Sequence, residues 1–250
     1  MRWLAFSIEV LKLEELSEIF VLHPEQAIPI NMEERLFRPE DVLRNFSGLV
    51  TTKAVGAGGE TACTRVSLVH FSVKEYLISS RISKGPASFF AFSEADAHTH
   101  IAHSCLEYLI YTSSPNGMIF DGEFIMRSYA RKYWPQHLEM VPRGLWTAQV
   151  TNAITRALAA DSPTIEMLLS GLNYKLQYRR TPFRLEHIPR RPLCYAALNG
   201  NVQLSEMLLL SNAEQHSELH VPLADLEMGL LCAVYGGSLD VIRLVLHHLS

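Results

Sequence analysis

The feature that most constrains the fold of this 250-residue chain is an internal repeat near its end. Residues 192–204 align with residues 229–241 at a constant offset, which Gly200 and Gly237 set at 37 residues. Both copies run on into apolar stretches, where Met207, Leu208 and Leu209 are answered by Leu244, Val245 and Leu246. Small residues at Ala196, Ala197 and Ala233, a glycine turn and then a leucine-rich segment spell a helix-turn-helix unit. Such a unit cannot bury its apolar face alone, so a period in the thirties predicts a stacked α-solenoid. A degraded earlier copy is expected from Ala153 to Leu169, since Ala157 and Met167-Leu168-Leu169 fall forty residues before Ala197 and Met207-Leu208-Leu209. The repeats are assigned to 146–250, with clearer copies at 190–213 and 227–250.

The first unit spans 1–82. Leu13, Leu16, Ile19 and Phe20 recur at near-helical spacing opposite Glu14, Glu15 and Glu18, predicting an amphipathic helix from about Lys12 to Leu22. Pro39, Glu40 and Asp41 put a proline and two acids in the first turn of a helix that carries Val42, Leu43 and Phe46 and closes at Gly48. Two β-rich runs, 49–52 and 66–69, flank a flexible Gly56-Ala57-Gly58-Gly59 tip and read as a hairpin. Ser72 and Glu75 have the spacing of a capping box, so a helix is expected from Ser72 to about Arg81. Helix, helix, two-stranded wing and helix is the order of a winged-helix domain.

Residues 83–145 read as all-α. Ser93 with Asp96 caps a helix running to about Tyr111, with Ile101, Cys105, Tyr108 and Leu109 inward. A second helix, from about Gly122 to Tyr133, should stop where Trp134 precedes Pro135. The fold class is therefore mainly α: a winged helix with a small β-hairpin wing, a helical linker, and an α-solenoid.

Charge narrows the function. Lys and Arg number 22 against 26 Asp and Glu, a net charge of −4, which is not the basic excess of a dedicated nucleic-acid binder. Cys63, Cys105, Cys194 and Cys232 show no C-x-x-C spacing, so neither a zinc site nor a secreted disulfide framework is expected. Acidic and basic residues interrupt the segment from Trp3 to Phe20, which excludes a signal-peptide core, and no apolar run approaches the ~18 residues of a membrane span. A reducing, cytoplasmic setting is expected.

The units also resemble known families. Pro192-Leu193, Ala196-Ala197 and Gly200 match the T-P-L-H-x-A-A-x-x-G pattern of ankyrin repeats, with Cys194 in place of the usual histidine; the second copy keeps Leu231, Ala233 and Gly237 and lacks the proline. The segments Trp3–Ser7, Leu13–Leu16, Pro39–Leu43 and above all Leu68–Leu77 resemble the GPI inositol-deacylase type winged helix that follows the NACHT NTPase domain in fungal NLR-like STAND proteins. Ser93–His98 and Tyr129–Pro135 resemble the helical linker of the same proteins. In that family an upstream domain binds nucleotide, and the repeats act as sensor or binding platform. The resemblance implies a non-enzymatic interaction and regulatory module, cut from a longer signalling protein of the innate-immunity or incompatibility type. Its partner would be a protein bound on the ankyrin face, with no cofactor, no membrane and no small-molecule substrate. A winged-helix nucleic-acid-binding regulator is the alternative.

The chemistry-bearing residues fit that expectation. No G-x-x-x-x-G-K-[ST] motif occurs, and Gly56–Gly59 lacks the lysine and hydroxyl of a phosphate loop. His70, between strand and helix, matches the histidine that the resemblance implies contacts ADP, a cofactor-binding role only in a complete NTPase. His98, His100 and His103 cannot converge on a metal, because His100 lies about 200° from His98 around a helix, and they read as a solvated face. Arg179, Arg180, Arg184, Arg190, Arg191 and Lys175 read as a solvated loop. No nucleophile elbow is present, and the cysteines read as packed. No catalytic or metal-binding residue is assigned; Ser72, Glu75, Ala196, Ala197, Gly200, Ala233 and Gly237 are assigned structural roles.

Overall fold

The computed structural model describes residues 1–55, 63–115, 124–159, 161–169, 191–210 and 223–249. The chain is mainly helical, with one small two-stranded antiparallel sheet. The first helices are α1 (Arg2–Phe6) and α2 (Leu13–Phe20). Acids Glu14 and Glu15 occupy the first turn of α2, where the helix dipole favours them, while Leu13 and Leu16 are buried. Residues Pro39–Phe46 wind as a 3-10 helix rather than an α-helix, burying Val42 and Phe46 against α2. Strands β1 (Val50–Val55) and β2 (Cys63–Leu68) pair in register from Val50 opposite Leu68 to Val55 opposite Cys63. Val66 is buried and its N–H donates to the Leu11 carbonyl, which fastens the hairpin to the start of α2. The Gly56–Gly59 tip lies outside the described residues.

The expected helix from Ser72 to Arg81 is two pieces, α3 (Phe71–Leu77) and α4 (Ser80–Ser83). Its cap is also corrected. His70 is the capping residue, with Nδ1 accepting the Ser72 N–H at 3.1 Å, and Ser72 and Glu75 make no capping box. An imidazole nitrogen two positions nearer the strand takes the Ser72 N–H that Glu75 would accept in a capping box.

Helix α5 (Glu94–Ser113) is the axis of the molecule, packed by α1, α6 (Arg127–Glu139) and α7 (Ala148–Leu158). Its start is the expected capping box: Ser93 Oγ accepts the Asp96 N–H, and Asp96 accepts the Ser93 N–H. Ile101, Cys105, Tyr108 and Leu109 are buried as expected. So are polar residues around the whole helix, and the solvated histidine face is therefore corrected: His98 and His103 are buried and His100 is half-buried. A helix enclosed on several sides has no solvated face, whatever its sequence periodicity suggests.

Helix α6 does not stop before Pro135; it carries that proline inside. The ring removes a helical donor and costs roughly 3 kcal/mol. Burial of Tyr133, Trp134, His137 and Leu138 on either side offsets that cost, and the Pro135 carbonyl accepts the Asn201 side-chain N–H at 2.9 Å. His137 joins a buried polar chain with His98 and Tyr129. The Tyr129 hydroxyl accepts the Ile8 N–H at 3.1 Å and donates to His137 Nε2 at 3.0 Å, so the remaining His137 N–H donates to His98 Nδ1 at 2.7 Å. The outer His98 nitrogen faces Glu94 at 3.7 Å. Helices α5 and α6 and the segment after α1 are thereby tied through one line of protons.

After α7 comes a short helix α8 (163–169), then α9 (Pro192–Asn199), α10 (Val202–Leu210), α11 (Leu223–Gly236) and α12 (Leu239–Leu249). One contiguous set of buried side chains runs from Trp3 to Val245. Among the described residues no helix is long and apolar enough to cross a membrane.

Candidate functional site

The 37-residue repeat is a repeat of conformation as well as of letters. Gly200 and Gly237 both adopt a left-handed backbone, with φ of 68° and 76°. Each lets the chain leave a helix with the same pair of hydrogen bonds: Gly200 N–H to Ala197 O and Asn201 N–H to Ala196 O in one copy, Gly237 N–H to Val234 O and Ser238 N–H to Ala233 O in the other. The next residue caps the following helix in both. Asn201 Oδ1 accepts the Leu204 N–H at 2.7 Å, and Ser238 Oγ accepts the Val241 N–H at 3.4 Å. Leu204 and Val241, then Leu208 and Val245, are fully buried at matching positions.

The two pairs stack first helix on first and second on second, α9 against α11 and α10 against α12. Ala196, Ala197 and Ala233 are fully buried there. Approach is so close that a Cβ at Gly236 would meet the Ala197 carbonyl oxygen at 2.5 Å. Cys194 and Cys232 sit in this contact, both fully buried; the hydrogen bond to Cys232 and burial hold the Cys194 thiol far above the ordinary thiol range, so Cys194 is a packed neutral thiol. Arg191 pairs with Asp225 at 3.4 Å across the same two helices, while Lys175, Arg179, Arg180, Arg184 and Arg190 lie outside the described residues.

Below the repeats, α6 serves as their base. Trp134 stacks on Tyr195 with centroids 5.9 Å apart and planes within 4°, and the Gln203 amide donates to the Glu139 carbonyl at 3.1 Å. Above them, α11 presents a stripe of exposed positions, Ala224, Glu227, Leu231 and Val234, three and four residues apart. Leu231 and Val234 are 46% and 57% exposed, whereas their counterparts at the 37-residue offset, Cys194 and Ala197, are fully covered by α11. The repeat thus shows that this helical face is built to be covered, and in α11 it is open. Sequence reasoning gave the pairs but not this face, since an apolar residue reads alike whether covered or open.

His70 does not belong to that surface. It is exposed, caps α3, and lies against the Phe71 ring at 4.4 Å. No group of described residues is arranged to hold a metal ion. A polar groove of about 750 Å3 lies between residues 24–29, α5 and α7. In it Glu107 accepts from Arg156 at 2.7 Å and His103 lies 3.7 Å from the same carboxylate oxygen. Burial would push the Glu107 carboxyl up, but the His103 and Arg156 contacts hold it below the usual carboxylate range. Sequence analysis missed this groove, because Glu25, His103, Glu107 and Arg156 come from three separate elements.

Comparison with known proteins adds one relative. The chain is 30% identical over 138 residues to the "Azaphilone pigments biosynthesis cluster protein L" of Monascus ruber; the match covers 54% of this chain and 29% of that protein. The chain thus spans less than a third of the relative's length. No protein-family model matches the chain, and no solved structure does.

Proposed function

We propose that this chain is a non-enzymatic protein-interaction and regulatory module, of the kind found in fungal NLR-like proteins with a NACHT domain elsewhere. In this reading 1–82 is a winged helix, 83–145 a helical linker and 146–250 ankyrin-type repeats, with α7 and α8 as the degenerate first copy. The observation that carries it is the open face of α11. Leu231 and Val234 stand where the preceding copy buries Cys194 and Ala197, so a protein surface placed there gains the burial that α11 already gives α9. Burying the exposed part of one such side chain is worth on the order of 1 kcal/mol, enough for a few anchors to carry a specific contact. The stack continues through Trp134 and Tyr195 into α6 and α5, which supports coupling of an event on the repeats to the helical body.

The nucleic-acid alternative gains little. The segment Pro39–Phe46 that would read a groove is a 3-10 helix with Glu40 and Asp41 in its first turn, and Arg44 pairs with Asp41 at 3.1 Å. The name of the Monascus ruber relative assigns that protein to a biosynthesis cluster and states no reaction. The test is affinity capture from a fungal lysate on the wild-type chain and on the Leu231→Asp/Val234→Asp double variant, followed by calorimetry with the purified captured protein. The proposal expects binding at least tenfold weaker for the variant at unchanged melting temperature. Equal binding by both, or salt-dependent DNA binding in place of protein binding, would overturn it.

A further inference from the structure

Beside the polar groove, between the starts of α5 and α7, is a separate pocket of about 480 Å3 whose wall includes Arg2, Ser93, Ala95, Thr99, His100, Thr147 and Gln149. We propose that this pocket binds a small oxyanion, the phosphate or carboxylate group of a ligand, held by the Arg2 guanidinium and the Thr99 hydroxyl at the meeting point of two helix N-termini. The inference is independent of the repeat surface.

Two side chains demand a partner. Arg2 Nε is buried with no hydrogen-bond acceptor, and among the described residues no carboxylate pairs with its guanidinium, which lies over the Phe92 ring with its carbon 5.6 Å from the centroid. A buried donor left unmet is costly, and it leaves the half-buried guanidinium on the pocket wall without a counter-charge in contact, which an oxyanion in the pocket would supply. Thr99 is only 7% exposed, lines the pocket, and makes no hydrogen bond among the described residues. Threonine in a helix commonly returns its hydroxyl to the carbonyl one turn back. Here that bond is absent, and the hydroxyl is left to the pocket.

The backbone adds to the same field. Ala95 and Gln149 lie in the first turns of α5 and α7, where N–H groups have no intrahelical acceptor and the helix dipoles are positive. Burial, and next the Arg2 charge, push the His100 imidazole down to about 4, so at neutral pH it is an uncharged ring that can donate one N–H. Two carboxylates share the wall and neither forms an ion pair with Arg2, although after the Ser93 hydrogen bonds the Arg2 charge helps hold the Asp96 carboxyl low. Asp96 is turned to Ser93, accepting its hydroxyl at 2.7 Å and its N–H at 3.1 Å, and Glu25 stands at the rim, 68% exposed and 3.8 Å from His103.

The test titrates the full chain with sodium phosphate and, separately, sodium acetate, each against sodium chloride at matched ionic strength, following the His100 ring by NMR and the melting temperature. A bound anion raises the His100 pKa from its low value and raises the melting temperature; chloride does neither. Phosphate alone acting assigns a phosphoryl ligand, acetate alone a carboxylate ligand, and both acting a site that reads only the shared oxyanion. Arg2→Gln weakens the effective anion about tenfold or more, and Thr99→Val, which keeps the shape of the side chain, weakens it severalfold. If Arg2→Gln does not fold, Thr99→Val decides alone. An effect no larger than chloride's, or variants that bind like wild type, would overturn the assignment.

Discussion

The buried His98–His137–Tyr129 chain predicts a specific loss of stability in mild acid. Its donors and acceptors are used in one direction, so an added proton on His98 Nδ1 would set two N–H groups against each other across 2.7 Å, and one on His137 Nε2 would oppose the Tyr129 O–H across 3.0 Å. Burial, then the neighbouring His98, pushes His137 from the ordinary 6.5 down to about 3, and burial lowers His98 as well. The sign follows from linkage: the unfolded chain takes up a proton below pH 6.5 that the native state refuses until about pH 3. Stability is therefore full above 6.5 and falls as the pH drops towards 3. By pH 5 His137 alone removes about 2 kcal/mol, from roughly 1.4 kcal/mol per pH unit over the interval below 6.5. Urea unfolding of the wild type and of His137→Leu at pH 7 and pH 5 measures this. At pH 7 the variant should be less stable by about 1–3 kcal/mol, because Tyr129 and His98 each lose a buried partner. Between pH 7 and pH 5 it should lose about 2 kcal/mol less than wild type, since His98 and His100 titrate in both. Equal losses in the two proteins would refute the reasoning.

Other expectations concern the repeats and the thiols. Gly236→Ala forces a Cβ against the Ala197 carbonyl and should cost about 1–3 kcal/mol in thermal melts. Gly200→Ala, placing an L side chain at φ 68°, should cost about 1–2 kcal/mol. Asn201→Ala removes both the cap on α10 and the bond to Pro135, and should destabilise by about 1–3 kcal/mol, more than Ser238→Ala at the matching position. Of the four thiols only Cys63 is partly exposed, so a thiol reagent should modify it first and reach Cys105, Cys194 and Cys232 only on unfolding.

The repeat was legible because its chemistry is local: a glycine at a left-handed turn, a side-chain cap one residue later and buried aliphatics at fixed distances are all written within thirteen residues. Ser93 with Asp96 was legible for the same reason. The misreadings came where a distant element decides. Ser72 and Glu75 had the letters of a capping box, yet the strand's exit brought His70 Nδ1 to the donor first. Pro135 is a helix breaker by itself, but burial of Trp134 and Leu138 on both sides carries α6 through it. His98 and His103 looked solvated on a helix taken alone and are enclosed because three other helices pack around α5. The open face of α11 and the Arg2 pocket depend on which surfaces remain uncovered, which no single segment records.

Hydrogen exchange on the free chain and on its complex with the captured protein tests the central claim most directly. The account predicts that protection is gained along 223–236, centred on Leu231 and Val234, with smaller gains relayed through 192–199 to 127–139. Protection gained instead over 50–55 and 63–77, with 223–236 unchanged, would contradict it.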